Sequence, residues 1–212
     1  MTSNWQELIF SEAVEINPPR LLKRDDAPFI SIRFVEPNRR RPIQIAKRKY
    51  LGGGAKFKNG DTLLARITPC LEHGKTVFIS DLGENEVGFG STEFIVFSGK
   101  KGITDNLFVY YLCRYNEVRD FAIKSMTGTS GRQRVQADAF NNLKIKIPPL
   151  AEQRKIAKIL GSLDDKIELN YEMNKTLETI AQAIFKNWFV DFEPFKDQLV
   201  YNEELDKEIP KG

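Results

Sequence analysis

Short apolar stretches separated by turn-forming residues mark the first two thirds of the chain. Residues 28–35 (PFISIRFV), 62–67 (TLLARI), 76–80 (TVFIS) and 93–97 (EFIVF) are rich in branched or aromatic side chains. Gly, Pro, Asn or Asp bounds each of them, which predicts strands. Gly52-Gly53-Gly54 and Asn59-Gly60-Asp61 between them predict loops or turns. Over residues 105–123 the period changes. Leu107, Phe108, Tyr111, Leu112, Tyr115 and Val118 recur at three- and four-residue steps, which predicts a helix. Residues 141–147 (NNLKIKI) alternate again and predict a last strand.

Pro148-Pro149 then marks a boundary, since proline suits the first turn of a helix, where its missing N–H has no intrahelical partner. From Leu150 to about residue 189 there is no Pro, the sole Gly is Gly161, and good helix formers dominate until Pro194. Leu160, Leu163, Ile167, Asn170, Asn174, Leu177, Ala181, Ile184 and Trp188 fall at alternating three- and four-residue steps, a heptad-like seam widened by Met173, Ile180 and Phe185. Each aliphatic side chain left in water forgoes roughly 1.5–3 kcal/mol. No second helix of this length occurs in the chain, so a partner helix from another molecule or from a longer chain is expected. Asn170 and Asn174 either set pairing register or face solvent on a slightly rotated seam.

These periodicities predict an α+β chain: a β-rich domain with short helices over residues 1–149, a long coiled-coil-forming helix over 150–193, and a tail or linker over 194–212. Charge sharpens the division. Residues 1–149 carry 23 Lys+Arg against 16 Asp+Glu, whereas residues 150–212 carry 9 against 13. A basic front and an acidic rear suggest two tasks on one chain, and a basic face attracts polyanions through counterion release. The overall charge of +3 conceals this. No apolar run approaches the length of a membrane span, and the opening MTSNWQELIF lacks the basic-then-apolar order of a signal peptide. Cys70 and Cys113 lie far apart and outside metal-ligand spacing. Free thiols in a cytoplasmic protein are therefore expected, with a disulfide as the less favoured alternative.

Catalytic motifs are sparse. His73 is the one histidine, and no nucleophile-elbow Ser or Cys accompanies it. There is no phosphate-binding Gly-x-x-x-x-Gly-Lys and no dinucleotide-binding Gly-x-Gly-x-x-Gly. Asn17-Pro18-Pro19-Arg20 resembles the Asn-Pro-Pro-aromatic motif of DNA amino-methyltransferases, but Arg20 replaces the ring that stacks on a flipped base. Asp61 and Glu72 read better as loop carboxylates than as a nuclease pair. No metal site, cofactor site or catalytic group is expected.

Two cationic clusters remain. Arg33, Arg39, Arg40, Arg41, Lys47, Arg48, Lys49, Lys56 and Lys58 lie within one stretch whose sole acid is Glu36, interleaved with Phe34, Tyr50 and Phe57. The second is Thr127-Gly128-Thr129-Ser130-Gly131-Arg132-Gln133-Arg134. Its glycines permit close backbone approach, Thr129 and Ser130 offer hydroxyls to phosphates, and Arg132, Gln133 and Arg134 can pair bidentately with base edges. The competing reading of either cluster is a solvated loop.

Several short motifs are similar, in order, to those of type I restriction–modification specificity subunits. They are Gly60-Asp61-Thr62-Leu63-Leu64-Ala65-Arg66, Gly74-Lys75, Ser91-Thr92-Glu93-Phe94 and, most specific, Ile145-Lys146-Ile147-Pro148-Pro149-Leu150-Ala151-Glu152-Gln153-Arg154. Leu163-Asp164-Asp165-Lys166 and Phe185-Lys186-Asn187-Trp188-Phe189 extend the resemblance. It implies that residues 1–149 form a target-recognition domain reading one half of a bipartite site in double-stranded DNA. It also implies that the helix is one of an antiparallel pair that spaces two such domains and holds methyltransferase subunits. Those subunits use S-adenosylmethionine to methylate adenine, and restriction subunits cleave unmodified DNA. The cofactor is thus expected on the partner and none on this chain.

Arg66 and Lys75 join the expected DNA contacts on this basis. Glu208-Ile209-Pro210-Lys211-Gly212 resembles the linker before a second recognition domain, and Asn4-Trp5-Gln6-Glu7-Leu8 the opening of one. The expectation is a half-subunit, whether natural, truncated or a fragment, that pairs with a second copy through Leu160 to Trp188. The competing reading is an anti-restriction protein that occupies methyltransferase subunits through its helix without reading DNA.

Overall fold

Residues 62–65 are buried at every position, the mark of a strand covered on both faces. The fold is arranged around that strand. The computed structural model describes residues 4–23, 25–194 and 199–210. Along the chain run β1 (Gln6–Ile9), α1 (Phe10–Ala13), β2 (Val14–Ile16), β3 (Asp26–Ile30), β4 (Ala46–Lys49), β5 (Ala55–Lys58), β6 (Thr62–Ala65), β7 (Thr76–Phe78), β8 (Val87–Gly90) and β9 (Phe94–Gly99). There follow α2 (Asn106–Arg114), α3 (Asn116–Lys124), β10 (Met126–Thr127), β11 (Arg134–Val135), β12 (Lys144–Ile147), α4 (Leu150–Phe185), β13 (Leu199–Asn202) and β14 (Lys207–Pro210). The chain divides into two compact units, residues 1–164 and 165–212. Of the expected tail, residues 195–198, Lys211 and Gly212 lie outside the described residues.

In the first unit, an antiparallel sheet in the order β2-β9-β6-β7 stands beside a sheet in the order β4-β3-β8-β5, in which β3 and β8 run parallel. Alternation along β6 and β9 sends side chains to opposite faces. Leu63, Val96 and Val77 join Ile30, Val35 and Phe57 between the sheets. Leu64, Ile95 and Phe97 pack on the other side with Phe10, Val109, Leu112, Val118, Phe140 and Ala157. β1 pairs antiparallel with β12, tying the N-terminal segment to the strand that leads into α4.

Two predicted elements end earlier than expected. The strand expected over 28–35 stops at Ile30, where the Ser31 hydroxyl accepts from the Arg33 N–H at 3.4 Å and opens a 3₁₀ turn, Ile32–Phe34. The helix expected over 105–123 is two helices. Tyr115, at φ −63° and ψ 136°, is extended between α2 and α3. Its ring is exposed.

The opening of α4 is anchored by polar groups within the first unit. Gln153, 1% exposed, donates from Nε2 to the carbonyls of Ile103 (3.0 Å) and Pro148 (2.8 Å) and accepts from the Asp105 N–H at 3.0 Å. The Tyr111 hydroxyl donates to Asp164 at 2.7 Å. In the second unit, residues 165–185 continue α4 and leave Ile167, Leu169, Met173, Leu177, Ile180, Ile184 and Phe185 exposed. A π-helical turn, Lys186–Val190, follows, closed by the Asp191 N–H on the Lys186 carbonyl at 2.8 Å. β13 and β14 form an antiparallel hairpin.

Candidate nucleic-acid interface

The second cationic cluster is the loop joining β10 to β11. Gly128 (φ 121°) and Gly131 (φ 74°) hold backbone conformations that favour glycine. A Cβ on Gly128 would also stand 3.3 Å from the Arg132 carbonyl oxygen. Between them Thr129 and Ser130 are exposed, and the Thr129 carbonyl accepts from the Arg132 N–H at 3.0 Å. The Arg132 side chain is exposed and makes no hydrogen bond or ion pair among the described residues.

The root of this loop is fastened from several sides. The Gln133 N–H donates to the Thr68 hydroxyl at 3.1 Å, and its carbonyl accepts from the Thr68 N–H at 3.0 Å. The Arg66 carbonyl accepts from the Val135 N–H at 2.9 Å. Arg134 forks onto Glu93, with Nη2 to Oε1 at 2.8 Å and Nε to Oε2 at 2.9 Å, and its Nη1 donates to the Arg132 carbonyl at 3.2 Å. The Glu93 carboxylate holds the Arg134 guanidinium above its ordinary pKa. A rigid root bearing a polar, cationic tip is what a loop needs in order to approach a base edge or phosphate at low ordering cost.

Burial corrects Arg40 as an expected DNA contact, and several other expected contacts carry bonds within the domain. Arg40 is 7% exposed and donates from Nη1 to the Gly161 carbonyl at 3.0 Å; it fastens α4 rather than facing solvent. All three guanidinium nitrogens of Arg134 are engaged, so it braces the loop. Arg66 donates from Nε to the Val135 carbonyl at 3.1 Å and from Nη2 to the Gln136 side chain, a second brace. Half-buried Lys75 donates to the Ile32 carbonyl at 3.3 Å. Arg41 pairs with Asp81 at 3.2 Å, and Arg39 is half-buried.

Lys47, Arg48 and Lys49 remain exposed along β4, an edge strand of the second sheet. The Arg48 guanidinium lies 4.3 Å from the centre of the Phe29 ring, which fixes its direction. Lys56 stands 5.5 Å above Tyr50 on the same sheet. Of the expected cationic DNA contacts, Arg132 and the β4 row are exposed, whereas Arg40, Arg41, Arg66, Lys75 and Arg134 carry bonds within the domain.

Two features escaped sequence reasoning. Asp61, fully buried, takes Arg20 Nη2 at 2.8 Å and the Lys58 N–H at 2.9 Å. Its one local signal is a carboxylate in a Gly-Asp-Thr turn immediately before a fully buried strand. Asn17, at φ 47°, accepts from the Val96 N–H at 2.9 Å through its side chain. Asn17-Pro18-Pro19-Arg20 therefore closes the edge of the first sheet, although it lines an open cleft of about 420 Å³ with Lys56 and Thr92. Its amide oxygen is committed to the Val96 N–H and its arginine to Asp61, which speaks against the methyltransferase-like reading.

The chain is thus an α+β protein with a strand-rich domain, a fastened cationic hairpin and a long C-terminal helix. The chain belongs to the type I restriction modification DNA specificity domain family, whose family model matches residues 5–179. It is 37% identical over 200 residues to the type I restriction enzyme HindI specificity subunit of Haemophilus influenzae, a match spanning 92% of this chain and 42% of that protein. It is 42% identical over 114 residues to the MjaIX specificity subunit of Methanocaldococcus jannaschii, covering 53% of this chain and 26% of the relative.

Among solved structures, the HsdS subunit of Thermoanaerobacter tengcongensis shares the fold with a TM-score of 0.60 at 16% identity, covering all of this chain and 53% of that one. The S subunit from M. genitalium does so with a TM-score of 0.58 at 14% identity, over 94% of this chain and 52% of that one. The chain spans less than half the length of these two curated relatives. Among the described residues, no helix is long and apolar enough to cross a membrane.

Proposed function

We propose that this chain is the DNA-reading component of a type I restriction–modification complex, recognising one half of a bipartite site while catalysing nothing itself. The observation that carries this is the β10–β11 loop. Its root is clamped by Arg134–Glu93 and Arg66, while Thr129, Ser130 and Arg132 stay exposed at the tip. The β4 cations supply a sequence-independent attraction to phosphates. The exposed apolar seam of α4 serves pairing with a second copy, antiparallel as the family resemblance implies, and docking of methyltransferase subunits. Those subunits hold S-adenosylmethionine and methylate adenine in the cytoplasm, and restriction subunits join the same complexes.

The test is reconstitution with a methyltransferase subunit, followed by mapping of methylated adenines on random-sequence duplexes. Methylation confined to one split motif is the expected result. Methyl transfer by this chain alone, or methylation without sequence preference, overturns the reading.

A further inference from the structure

A groove of about 400 Å³ opens where α2 meets the start of α4, lined by Trp5, Phe108, Tyr111, Tyr115, Ile156 and Leu160. Trp5 is 42% and Tyr115 59% exposed, and Leu160 is partly uncovered beside them. Glu117 and Lys146 bring the charge to its lining. Such a patch marks an interaction surface. A second uncovered apolar group, Phe185, Trp188 and Phe189, closes the far end of the seam.

We infer that this groove receives Trp188 from a second copy, in an antiparallel helix pair whose register is set by Asn170 facing Asn174 of that copy. The inference rests on the pairing of two copies proposed above, and it specifies how they meet. The spacing of the seam limits the choices. Its steps alternate three, four, three, four from Leu160 to Trp188. In an antiparallel pair, layers stay matched where a three-residue step on one helix runs beside a three-residue step on the other. Leu160 can therefore lie opposite Asn170, where it meets an amide directly, or opposite Leu177, Ile184 or Asp191 of the second copy, each one heptad from the next.

Opposite Leu177, both asparagines meet aliphatic side chains. Opposite Asp191, Leu160 meets a carboxylate and Asn174 meets Leu177. Each of these buries an amide without a hydrogen-bond partner. Opposite Ile184, Leu163 meets Ala181, Ile167 meets Leu177, and the two amides meet each other across the two-fold axis. Every apolar layer then faces an apolar one. The flanking Met173 meets its own counterpart, adding apolar surface at the centre. The next layer outward from Leu160 and Ile184 pairs Ile156, on the groove wall, with Trp188 of the second copy. Groove and indole cover each other, and the symmetry repeats the contact at both ends.

Charge complementation tests the register. Leu160→Lys and Ile184→Glu are each prepared in the full chain and examined by sedimentation equilibrium, alone and mixed in equal amounts. Each alone places a charge against an aliphatic layer at both symmetric sites, so dimerisation weakens by roughly a hundredfold or more. In the mixed pair, the introduced ammonium and carboxylate face each other at one site, and the other site keeps the native Leu160 and Ile184, so dimerisation returns. As a second readout, the Trp5→Phe chain keeps Trp188 as its sole indole. Its emission is expected to be blue-shifted at dimer-forming concentrations and to move red on adding Leu160→Lys.

An unmodified chain that dimerises while the mixed variants stay apart overturns this register and leaves helix pairing standing. An unchanged Trp188 emission between dimer and monomer removes the groove as its seat. An unmodified chain that stays monomeric at high micromolar concentration overturns the pairing itself.

Discussion

Gln153 and Arg132 are opposite kinds of residue in this molecule. Gln153 is buried and bridges the Ile103 and Pro148 carbonyls to the Asp105 N–H. Gln153→Ala leaves those three groups unpaired in a dry site, and a loss of about 2–4 kcal/mol in urea unfolding is expected. A change below about 0.5 kcal/mol would show that water replaces the amide freely. Arg132 is exposed and holds no structural bond among the described residues. Arg132→Ala is expected to leave stability unchanged, to weaken the preferred duplex by about 1–3 kcal/mol, and to relax preference at one base pair. Arg134→Ala differs in kind: it frees Glu93 and loosens the loop, so specificity and thermal stability fall together. Identical behaviour of the two variants in melting and binding titrations would refute this division of labour.

The sequence displayed Arg132, Gln133 and Arg134 as one run of cations and an amide. Which arginine is free was not legible, because Glu93 lies 41 positions from Arg134 and Gly161 lies 121 positions from Arg40. No local pattern reports an acceptor at that distance.

Elements were legible where one physical cause acts locally. The apolar strands β6, β7 and β9 and the long helix follow from period and from the punctuation of Gly and Pro. The division of α2 from α3 does not, because Tyr115 continues the helical apolar spacing and is neither Gly nor Pro. Its N–H still closes the last turn of α2 on the Tyr111 and Leu112 carbonyls, so the break lies in its extended ψ, which the apolar spacing does not report. β4 and β10 were equally silent: one reads Ala-Lys-Arg-Lys, and the other has two residues.

Gly161 shows the reverse relation, since a single small residue decides how two helices meet. A Cβ there would lie 3.3 Å from a Leu107 methyl and 3.4 Å from Arg40 Nη1. Glycine in a helix interior costs roughly 1 kcal/mol against alanine, and close approach of α2 and Arg40 gives it a use. Gly161→Leu is expected to destabilise the chain by about 1–3 kcal/mol through overpacking. It is also expected to release the Tyr111 hydroxyl from Asp164, which burial and that hydrogen bond together hold above the ordinary tyrosine pKa. Thermal melting checks the first effect. Ultraviolet titration of tyrosinate, showing one group returning toward the ordinary range, checks the second.

At the scale of the whole molecule, the uneven charge and the exposed seam lead to one quantitative expectation about stoichiometry. Log affinity for a duplex falls with log salt at a slope of about −0.9 for each phosphate neutralised. Lys47 and Lys49 on the β4 edge are exposed and form no ion pair among the described residues. If one copy sits on each site, Lys49→Ala removes one phosphate contact and flattens the slope by about one unit. If two copies sit on a site through their helices, the same substitution is made twice and the slope flattens by about two. The salt series thus counts recognition domains per site without knowledge of the target sequence. It is run with the methyltransferase subunit present, on a duplex carrying the mapped motif. A shift of about two units for Lys49→Ala is expected, with little change in base preference, because a phosphate contact weakens all sequences alike. A shift of about one unit would leave β4 at the DNA and contradict the paired arrangement. An unchanged slope would remove Lys49 from the phosphate contacts.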